Sequence, residues 1–184
     1  MFLDRDGTLN ARPAEHSYVG SPAGFVWLDG AIEGAAALAR AGFVLAVVSN
    51  QRGVARGLVS WPTLRSIEVE IQTSLRQHGA EIAAFRYCPH DLDEECDCRK
   101  PAPGMILDLA RTLDIDLARS WMIGDSESDV LAGHSAGCRT ALIDESRQLD
   151  PAHPHAPPDI VGPSLRAAAA AILEWRDGES LSPS

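Results

Sequence analysis

Long apolar runs are missing from the sequence, and none approaches the roughly 20 residues that a transmembrane helix needs. The N-terminus also lacks the basic-then-apolar pattern of a secretory signal peptide. Positive charge is scarce, because 16 Lys and Arg stand against 26 Asp and Glu, for a net charge of −10. That balance argues against nonspecific binding to nucleic acid or to an anionic membrane surface. We therefore expect a cytoplasmic protein that binds neither nucleic acid nor a membrane.

Cysteine is also scarce, and its spacing does not suit a disulfide framework. Three of the four cysteines fall within residues 88–98, which is the spacing of a metal site in a reducing compartment. This segment supplies a complete tetrahedral ligand set for structural Zn²⁺, with no open position, from Cys88, His90, Cys96 and Cys98. The alternative to a zinc site is an unrelated cysteine-rich loop with a solvated histidine. The fourth cysteine, Cys138, is expected to be a small core residue.

Apolar runs alternate with helical patterns along most of the chain. Strands are predicted at 1–3, 43–50, 83–88, 120–125 and 139–144, and helices at 31–41, 60–79, 104–113 and 127–136. This alternation indicates βαβ crossovers, and therefore an α/β fold with a Rossmann-like, doubly wound parallel sheet. We expect one domain over 1–176, with a proline-rich segment at 150–159, a C-terminal helix at 164–176 and a flexible polar tail at 177–184.

The stretch FLDRDGTLN places two carboxylates, Asp4 and Asp6, directly after a predicted strand. Like charges this close repel, and Gly7 sacrifices local stability, so a compensating ligand is expected. Asp4, Ser49 and Asp125 each end an apolar run, and ligands of such sheets bind where the carboxyl ends of the strands meet. A divalent cation would neutralise acids gathered there, and oxygen ligands suit Mg²⁺. The turn at Gly7 is expected to offer free backbone N–H groups to a phosphate.

These motifs resemble the signatures of the haloacid dehalogenase (HAD) superfamily of phosphohydrolases. The counterparts are D-x-D-G-T at 4–8, Ser49, Lys100 and the acidic pair Asp125 and Asp129. By this resemblance Asp4 is the nucleophile that forms an aspartyl-phosphate, and Asp6 is the general acid and then the base. Ser49 and Lys100 would stabilise the transferring phosphoryl group.

The same resemblance implies a Mg²⁺ ion held by the carboxylates of Asp4 and Asp125 and by the backbone carbonyl of Asp6. Asp129 would stand behind these ligands without touching the ion. The alternative for Asp129 is an acid in the first turn of a helix, which the helix dipole favours. The chemistry is consistent with these roles, because phosphoryl transfer depends mostly on positioning and charge neutralisation.

The cysteine-rich loop narrows the resemblance to the branch of histidinol-phosphate phosphatases and D-glycero-D-manno-heptose 1,7-bisphosphate 7-phosphatases, which has no large cap domain. The stretches EHSYVGSPAGFVWLDGAIEG, SNQRGVARG and CRKPAPGM favour the heptose phosphatases. The resemblance then assigns substrate contacts to Arg12, Pro13, Ala14, Glu15, Asn50, Gln51, Arg52 and Arg99. Arg52 and Arg99 are the best-placed groups for a second phosphate, with ordinary solvated arginines as the alternative.

Three functions follow from these residues as hypotheses. The leading one is a monomeric, Mg²⁺-dependent phosphatase that hydrolyses the 7-phosphate of a heptose bisphosphate. Histidinol phosphate or another small monoester is the alternative substrate, with Glu15 as the partner for an amine. The third hypothesis is not an enzyme: it is a zinc-knuckle binding module on a catalytically dead phosphatase scaffold. The acidic balance and the lack of an aromatic and basic stripe argue against that module.

Overall fold

Six strands form one parallel sheet in the computed structural model, which describes residues 1–14, 17–144 and 157–180. In chain order the strands are β1 (Phe2–Leu3), β2 (Leu45–Asn50), β3 (Ile82–Cys88), β4 (Trp121–Gly124), β5 (Arg139–Ile143) and β6 (Ile160–Gly162). The helices are α1 (Ala31–Arg40), α2 (Trp61–Arg76), α3 (Gly104–Leu113), α4 (Glu127–Ala136) and α5 (Leu165–Ser180), with short 3₁₀ helices at Pro22–Gly24 and Leu117–Arg119. The predicted α/β fold is confirmed, and no large cap domain interrupts the described part of the chain.

Both faces of the sheet are covered, because neighbouring residues of a strand point to opposite sides. Leu3 and Val47 face the core that the sheet forms with α1, α2 and α5. Phe2 and Ala46 face a second core, which α3 and α4 close. Cys138 belongs to this second core, as predicted, and burial raises the pKa of its thiol to about 11. Alternate residues of the same apolar runs therefore build two separate cores.

The strand order reverses at β1, the position at which such sheets bind ligands. Across the sheet the order is β3-β2-β1-β4-β5-β6, so β1 pairs with β2 on one side and with β4 on the other. A crevice opens at the carboxyl ends of the strands where the order reverses. Asp4 follows β1, and its backbone N–H donates to the Ile123 carbonyl of β4 at 2.9 Å. The end of β1 is therefore fixed beside the end of β4, which Asp125 follows.

The largest difference between a predicted and an observed helix boundary lies in the C-terminal helix. Helix α5 runs to Ser180, so the prediction of a helix end at 176 followed by a flexible tail is wrong for residues 177–180. Part of the reason is Arg176, whose Nη1 donates to the Ala41 carbonyl at 3.0 Å and ties the last turns of α5 to the end of α1. The start of this helix agrees with the prediction, because the Ser164 hydroxyl accepts a backbone N–H from its first turn.

Other expectations concern residues that the structure describes only in part. The proline-rich segment 150–159 falls mostly outside the described residues, and residues 181–184 of the predicted tail lie outside them as well. Within the described ranges, no helix combines the length and the apolar character needed to cross a membrane.

Helix α1 and the start of α5 approach so closely that glycine is required between them. A Cβ at Gly34 would lie 2.7 Å from the carbonyl carbon of Leu165, which is shorter than real contacts allow. We predict that Gly34→Ala lowers the free energy of unfolding by about 1–3 kcal/mol, because the two backbones must separate. Chemical denaturation measures this change.

Gly178→Ala in α5 is the matched control, because a Cβ at Gly178 meets no other atom within 4 Å. Replacing a helical glycine at an open position should leave the stability unchanged or raise it by up to about 1 kcal/mol. Equal losses of stability in the two variants would contradict the close helix contact as the cause.

Candidate active site

Lys100 lies between two buried carboxylates at the centre of the crevice. Its Nζ is 2.7 Å from Asp4 Oδ1 and 2.6 Å from Asp129 Oδ1. It also donates to the Val48 carbonyl at 2.9 Å. Burial alone would lower the pKa of Lys100, but the two carboxylates outweigh burial and raise that pKa. A charged ammonium group therefore stands directly beside the predicted nucleophile.

The acidic side chains converge at the sheet edge, as the strand ends predict. One oxygen from each of Asp4, Asp125 and Asp129 lies within 4.8 Å of the others. Burial is the main reason that the pKa of Asp4 is raised to about 7, with Lys100 opposing the rise and Asp129 adding to it. Burial also raises the pKa of Asp125. Ionised oxygens this close in a poorly solvated crevice repel one another, which an added cation would relieve.

One oxygen of this acidic group has no partner among the described residues. Asp125 Oδ1 is buried and accepts no hydrogen bond there, whereas Asp125 Oδ2 lies 2.6 Å from Arg12 Nη2. A buried, unpaired carboxylate oxygen is costly unless a donor or a cation reaches it. The ligand atoms are all oxygens, which is the set that Mg²⁺ prefers. The acidic group therefore fits a hard divalent cation.

Two glycines make room for these carboxylates. A Cβ at Gly7 would lie 1.7 Å from Asp125 Oδ2, and one at Gly124 would lie 2.3 Å from Asp129 Cγ. Gly7 also has a φ of +94°, which residues with a side chain rarely adopt. The Gly7 N–H itself is not free to bind a phosphate, because it donates to the Asn10 carbonyl at 2.7 Å. This glycine supplies space rather than a donor for an anion.

Asp6 is held by three side chains. Arg5 Nη2 lies 2.9 Å from Asp6 Oδ2, and Asn10 Nδ2 donates to Asp6 Oδ1 at 2.9 Å. Gln51 Nε2 donates to Asp6 Oδ2 at 2.8 Å and to Ser49 Oγ at 3.0 Å. Gln51 was predicted to contact substrate. The residue is only 2% exposed, and its amide nitrogen is used within this network.

Sequence reasoning missed Arg5 and Asn10 as parts of the site. An arginine between two aspartates usually indicates solvated charges, yet both Arg5 and Asn10 are fully buried. The available signal was the tight turn after the aspartates. In it, the Leu9 and Asn10 N–H groups donate to the Arg5 carbonyl at 2.9 and 3.1 Å. The turn therefore folds Asn10 back onto Asp6.

The predicted zinc ligands converge at the end of β3. Cys88 Sγ lies 3.8 Å from Cys96 Sγ and 3.5 Å from His90 Nδ1, and Cys98 Sγ lies 3.3 Å from His90 Nδ1. Zn–S bonds of about 2.3 Å and Zn–N bonds of about 2.0–2.1 Å separate tetrahedral ligands by roughly 3.8 Å (S to S) and 3.6 Å (S to N). The cluster therefore has the dimensions of a four-coordinate zinc site, and all four residues lie within mutual reach.

Hydrogen bonds connect the cysteine-rich loop to the catalytic centre. Asn50 Nδ2 donates to the Lys100 carbonyl at 3.0 Å, and the Lys100 N–H donates to Asn50 Oδ1 at 3.0 Å. Arg99 Nη1 donates to the His90 carbonyl at 3.3 Å. The bonds of Asn50 tie Lys100, which directly follows the loop, to the end of β2. Asn50 was predicted to contact substrate, but its amide nitrogen and oxygen both bind the Lys100 peptide.

A cleft of about 610 Å³ opens over these groups. Every predicted catalytic or substrate-contacting residue lines it except Asp125, which lies beside it, and Glu15, which lies outside the described residues. Arg12 pairs with Asp125, and Arg52 pairs with Asp91, so both guanidinium groups are held at the cleft wall. Six lining residues were assigned no role from the sequence: Arg5, Ser17, Tyr18, Val19, Ser126 and Ser128.

Comparisons with known proteins agree with this geometry. A family model described as HAD-hydrolase-like matches residues 97–168. The D-glycero-beta-D-manno-heptose-1,7-bisphosphate 7-phosphatase of Vibrio cholerae is 39% identical over 150 residues, which cover 78% of this chain and 79% of that protein. The protein of the same name from Pseudomonas aeruginosa is 31% identical over 175 residues, which cover 95% of this chain and 97% of that protein.

A solved structure extends the similarity to the fold. The D,D-heptose 1,7-bisphosphate phosphatase from B. bronchiseptica, complexed with magnesium and phosphate, has a TM-score of 0.86 and 35% sequence identity. The match covers 95% of this chain and 98% of that chain. The chain therefore belongs to the HAD-like phosphatase family that contains the D-glycero-beta-D-manno-heptose-1,7-bisphosphate 7-phosphatases.

Proposed function

We propose that this protein is a Mg²⁺-dependent phosphatase that hydrolyses the 7-phosphate of D-glycero-beta-D-manno-heptose 1,7-bisphosphate. The observation that carries the proposal is the buried Asp4 carboxylate, which lies 2.7 Å from Lys100 Nζ and has an oxygen within 4.8 Å of an oxygen of Asp125. The relatives are named for this substrate, and the structure from B. bronchiseptica is a complex with magnesium and phosphate.

The carboxylates of Asp4 and Asp125 and the backbone carbonyl of Asp6 would hold Mg²⁺. Bound there, the ion would offset the negative charges of the phosphate and of the attacking carboxylate. Asp129 already has partners, since it contacts Lys100 at 2.6 Å and the Ser126 N–H and hydroxyl at 3.1 and 2.5 Å. These contacts support a place behind the ligands. The helix-cap alternative for Asp129 also holds, because Asp129 and Ser126 form a capping box at the start of α4.

Hydrolysis would proceed in two steps on the chain's own residues. A carboxylate oxygen of Asp4 attacks phosphorus, the bond from phosphorus to the sugar oxygen breaks, and that oxygen takes a proton from Asp6. Asp6 then accepts a proton from water, which attacks phosphorus and breaks the bond to Asp4. Inorganic phosphate leaves, and both carboxyl groups return to their initial states. Lys100 and Ser49 would donate to the phosphoryl oxygens.

The second phosphate distinguishes a bisphosphate from a monoester. Arg52 and Arg99 line the cleft beside Lys100, and a guanidinium can bind a phosphate through two parallel hydrogen bonds. Histidinol phosphate would need an acidic partner for its amine, and the candidate for that role, Glu15, lies outside the described residues. The arrangement of Asp4, Asp6 and Lys100 argues against a binding module without activity.

We also propose that the cysteine-rich loop binds a structural Zn²⁺ ion through Cys88, His90, Cys96 and Cys98. Because the protein fills all four positions, the ion has no open position for a substrate. Zinc could contribute on the order of 10 kcal/mol of local folding free energy. Its effect on catalysis would be indirect, since the loop carries Arg99 and Lys100 to the cleft.

A cytoplasmic location and a monomeric state stay predictions from the sequence, as does the expectation that the protein binds neither nucleic acid nor a membrane surface. Size-exclusion chromatography with light scattering measures the oligomeric state directly.

Asp4→Asn tests the nucleophile. We expect turnover to fall by on the order of 10³-fold or more, because an amide oxygen is a poor nucleophile toward phosphorus. The measurement is release of inorganic phosphate from the heptose bisphosphate with Mg²⁺. Asp108→Asn is the matched control, because Asp108 pairs with Arg86 and does not line the cleft. Wild-type turnover by a folded Asp4→Asn variant would show that Asp4 is not the nucleophile.

Arg99→Met tests the choice of substrate. It should lower kcat/KM for the bisphosphate by roughly 10–100-fold, because a charge-assisted hydrogen bond to the second phosphate is lost. It should change kcat/KM for the corresponding 7-monophosphate by less than about threefold, since that substrate lacks the contact. Arg65→Met is the control, because Arg65 lies on α2 with a side chain that is 79% exposed. A wild-type preference for histidinol phosphate over the bisphosphate would contradict the proposed substrate.

His90→Ala tests the zinc site. The wild-type protein should contain one zinc ion per chain by mass spectrometry of metals, and the variant should lose it because one of four ligands is missing. Amide hydrogen exchange should rise first around Arg99 and Lys100 while β1 and β4 stay protected. Cys138→Ala should retain zinc, because Cys138 is not among the four residues whose ligand atoms lie within reach of one another. An unchanged zinc content in His90→Ala would rule out this ligand set.

A further inference from the structure

A fully buried arginine stands between the two aspartates of the active site, and the chemistry above gives it no role. Arg5 is 0% exposed. Burying a guanidinium group is expensive unless a carboxylate pairs with it and further hydrogen bonds satisfy it. The carboxylate that it contacts is that of Asp6, at 2.9 Å from Nη2. The Arg5 guanidinium also interacts with the hydroxyl of the buried Tyr87, and its contact with Asp6 is the two-pronged one.

The contacts fix both oxygens of the Asp6 carboxylate. Arg5 donates to Oδ1 from Nε at 3.2 Å and to Oδ2 from Nη2 at 2.9 Å, which is a two-pronged contact. Asn10 donates to Oδ1, and Gln51 donates to Oδ2. Arg5 Nη2 also donates to Gln51 Oε1 at 3.2 Å, so the arginine holds one of the other two donors in place. The orientation of the Asp6 carboxylate plane therefore depends on Arg5 more than on any other single side chain in this network.

The backbone in turn fixes the direction of Arg5. Its carbonyl accepts N–H groups from Leu9 and Asn10, so the residue is anchored inside the turn that follows Asp6. The neighbouring Asp4 contacts Lys100 on the opposite part of the site, at 2.7 Å. Asp4 and Asp6 thus have different cationic partners, Lys100 for Asp4 and Arg5 for Asp6.

We propose that Arg5 is a positioning residue that holds the Asp6 carboxyl group in the orientation required for proton transfer to the leaving oxygen of the substrate. The inference rests on the function proposed above, in which Asp6 is the general acid. Proton transfer requires heavy atoms about 2.6–3.2 Å apart, and misplacement of a catalytic group by about 1 Å can cost about 10²-fold in rate. Arg5 acts through Asp6 and transfers no proton itself.

A pair of substrates separates positioning of Asp6 from a general effect on the fold. The oxygen that leaves a sugar phosphate is a strongly basic alkoxide, so it needs the proton from Asp6. The p-nitrophenolate that leaves p-nitrophenyl phosphate is weakly basic and needs little protonation. Because hydrolysis of the aspartyl-phosphate is common to both substrates, the comparison uses kcat/KM, which reports the first step. Arg5→Met should lower kcat/KM by about 10²-fold for the heptose bisphosphate and by less than about threefold for p-nitrophenyl phosphate. Losses of equal size with both substrates would overturn the proposal.

A double-mutant cycle with Asp6→Asn tests whether Arg5 acts through Asp6. If it does, Arg5→Met should cost nothing further in the Asp6→Asn background, because the group to be positioned is already disabled. Independent, multiplicative losses would overturn the proposal. If Asp6→Asn alone left hydrolysis of the bisphosphate unchanged, the general-acid role of the proposed function would fail instead, which distinguishes the two errors.

Two further variants complete the experiment. Arg5→Lys keeps the buried charge but not the two-pronged contact, so it should restore part of the lost kcat/KM for the bisphosphate. It also supplies the same substrate comparison if Arg5→Met does not fold, and wild-type kcat/KM for both substrates would then overturn the proposal. Arg86→Met is the matched control, because Arg86 pairs with Asp108 outside the cleft.

Discussion

The ion pairs of Lys100 with Asp4 and Asp129 hold the active-site edge of the sheet together. Three carboxylates within 4.8 Å of one another repel in a poorly solvated crevice, and Lys100 and Arg12 supply only two positive charges beside them. The Oδ1 atom of Asp125 has no hydrogen-bond partner among the described residues. A divalent cation at that point would complete the balance and would also let Asp4 approach a phosphate. Stability and chemistry therefore depend on the same few charges.

Backbone geometry allows this concentration of charge. The two residues of β1 pair with strands on both sides, so the first aspartate emerges at the point where the strand order reverses. The absence of side chains at Gly7 and Gly124 leaves the volume that the carboxylates of Asp125 and Asp129 occupy. Each glycine lowers local stability, but only a residue without a side chain lets the acids from β1, β4 and α4 come into contact.

The groups that surround the reacting carboxylates are organised from two directions. Arg5, Asn10 and Gln51 hold Asp6 from inside the turn after β1 and from the end of β2. Asn50, at the end of β2, holds the peptide of Lys100, which follows the cysteine-rich loop. A rigid zinc site would therefore affect the reaction at a distance, because the loop that it orders ends at the lysine that contacts the nucleophile.

The order of strands and helices, including both ends of α3 and α4, could be predicted from the sequence, because apolar periodicity and helix caps are local properties. The residue types of D-x-D-G-T and of the cysteine-rich loop likewise restricted the ligands that each site accepts. Only the tertiary structure decided four other features. Arg5 points inward, Asn50 and Gln51 contact other residues of the site, and the Gly7 N–H is used within its own turn. The length of α5 is the fourth. Each of these depends on which groups from distant segments meet, and burial and hydrogen-bond pairing exist only once the sheet has assembled.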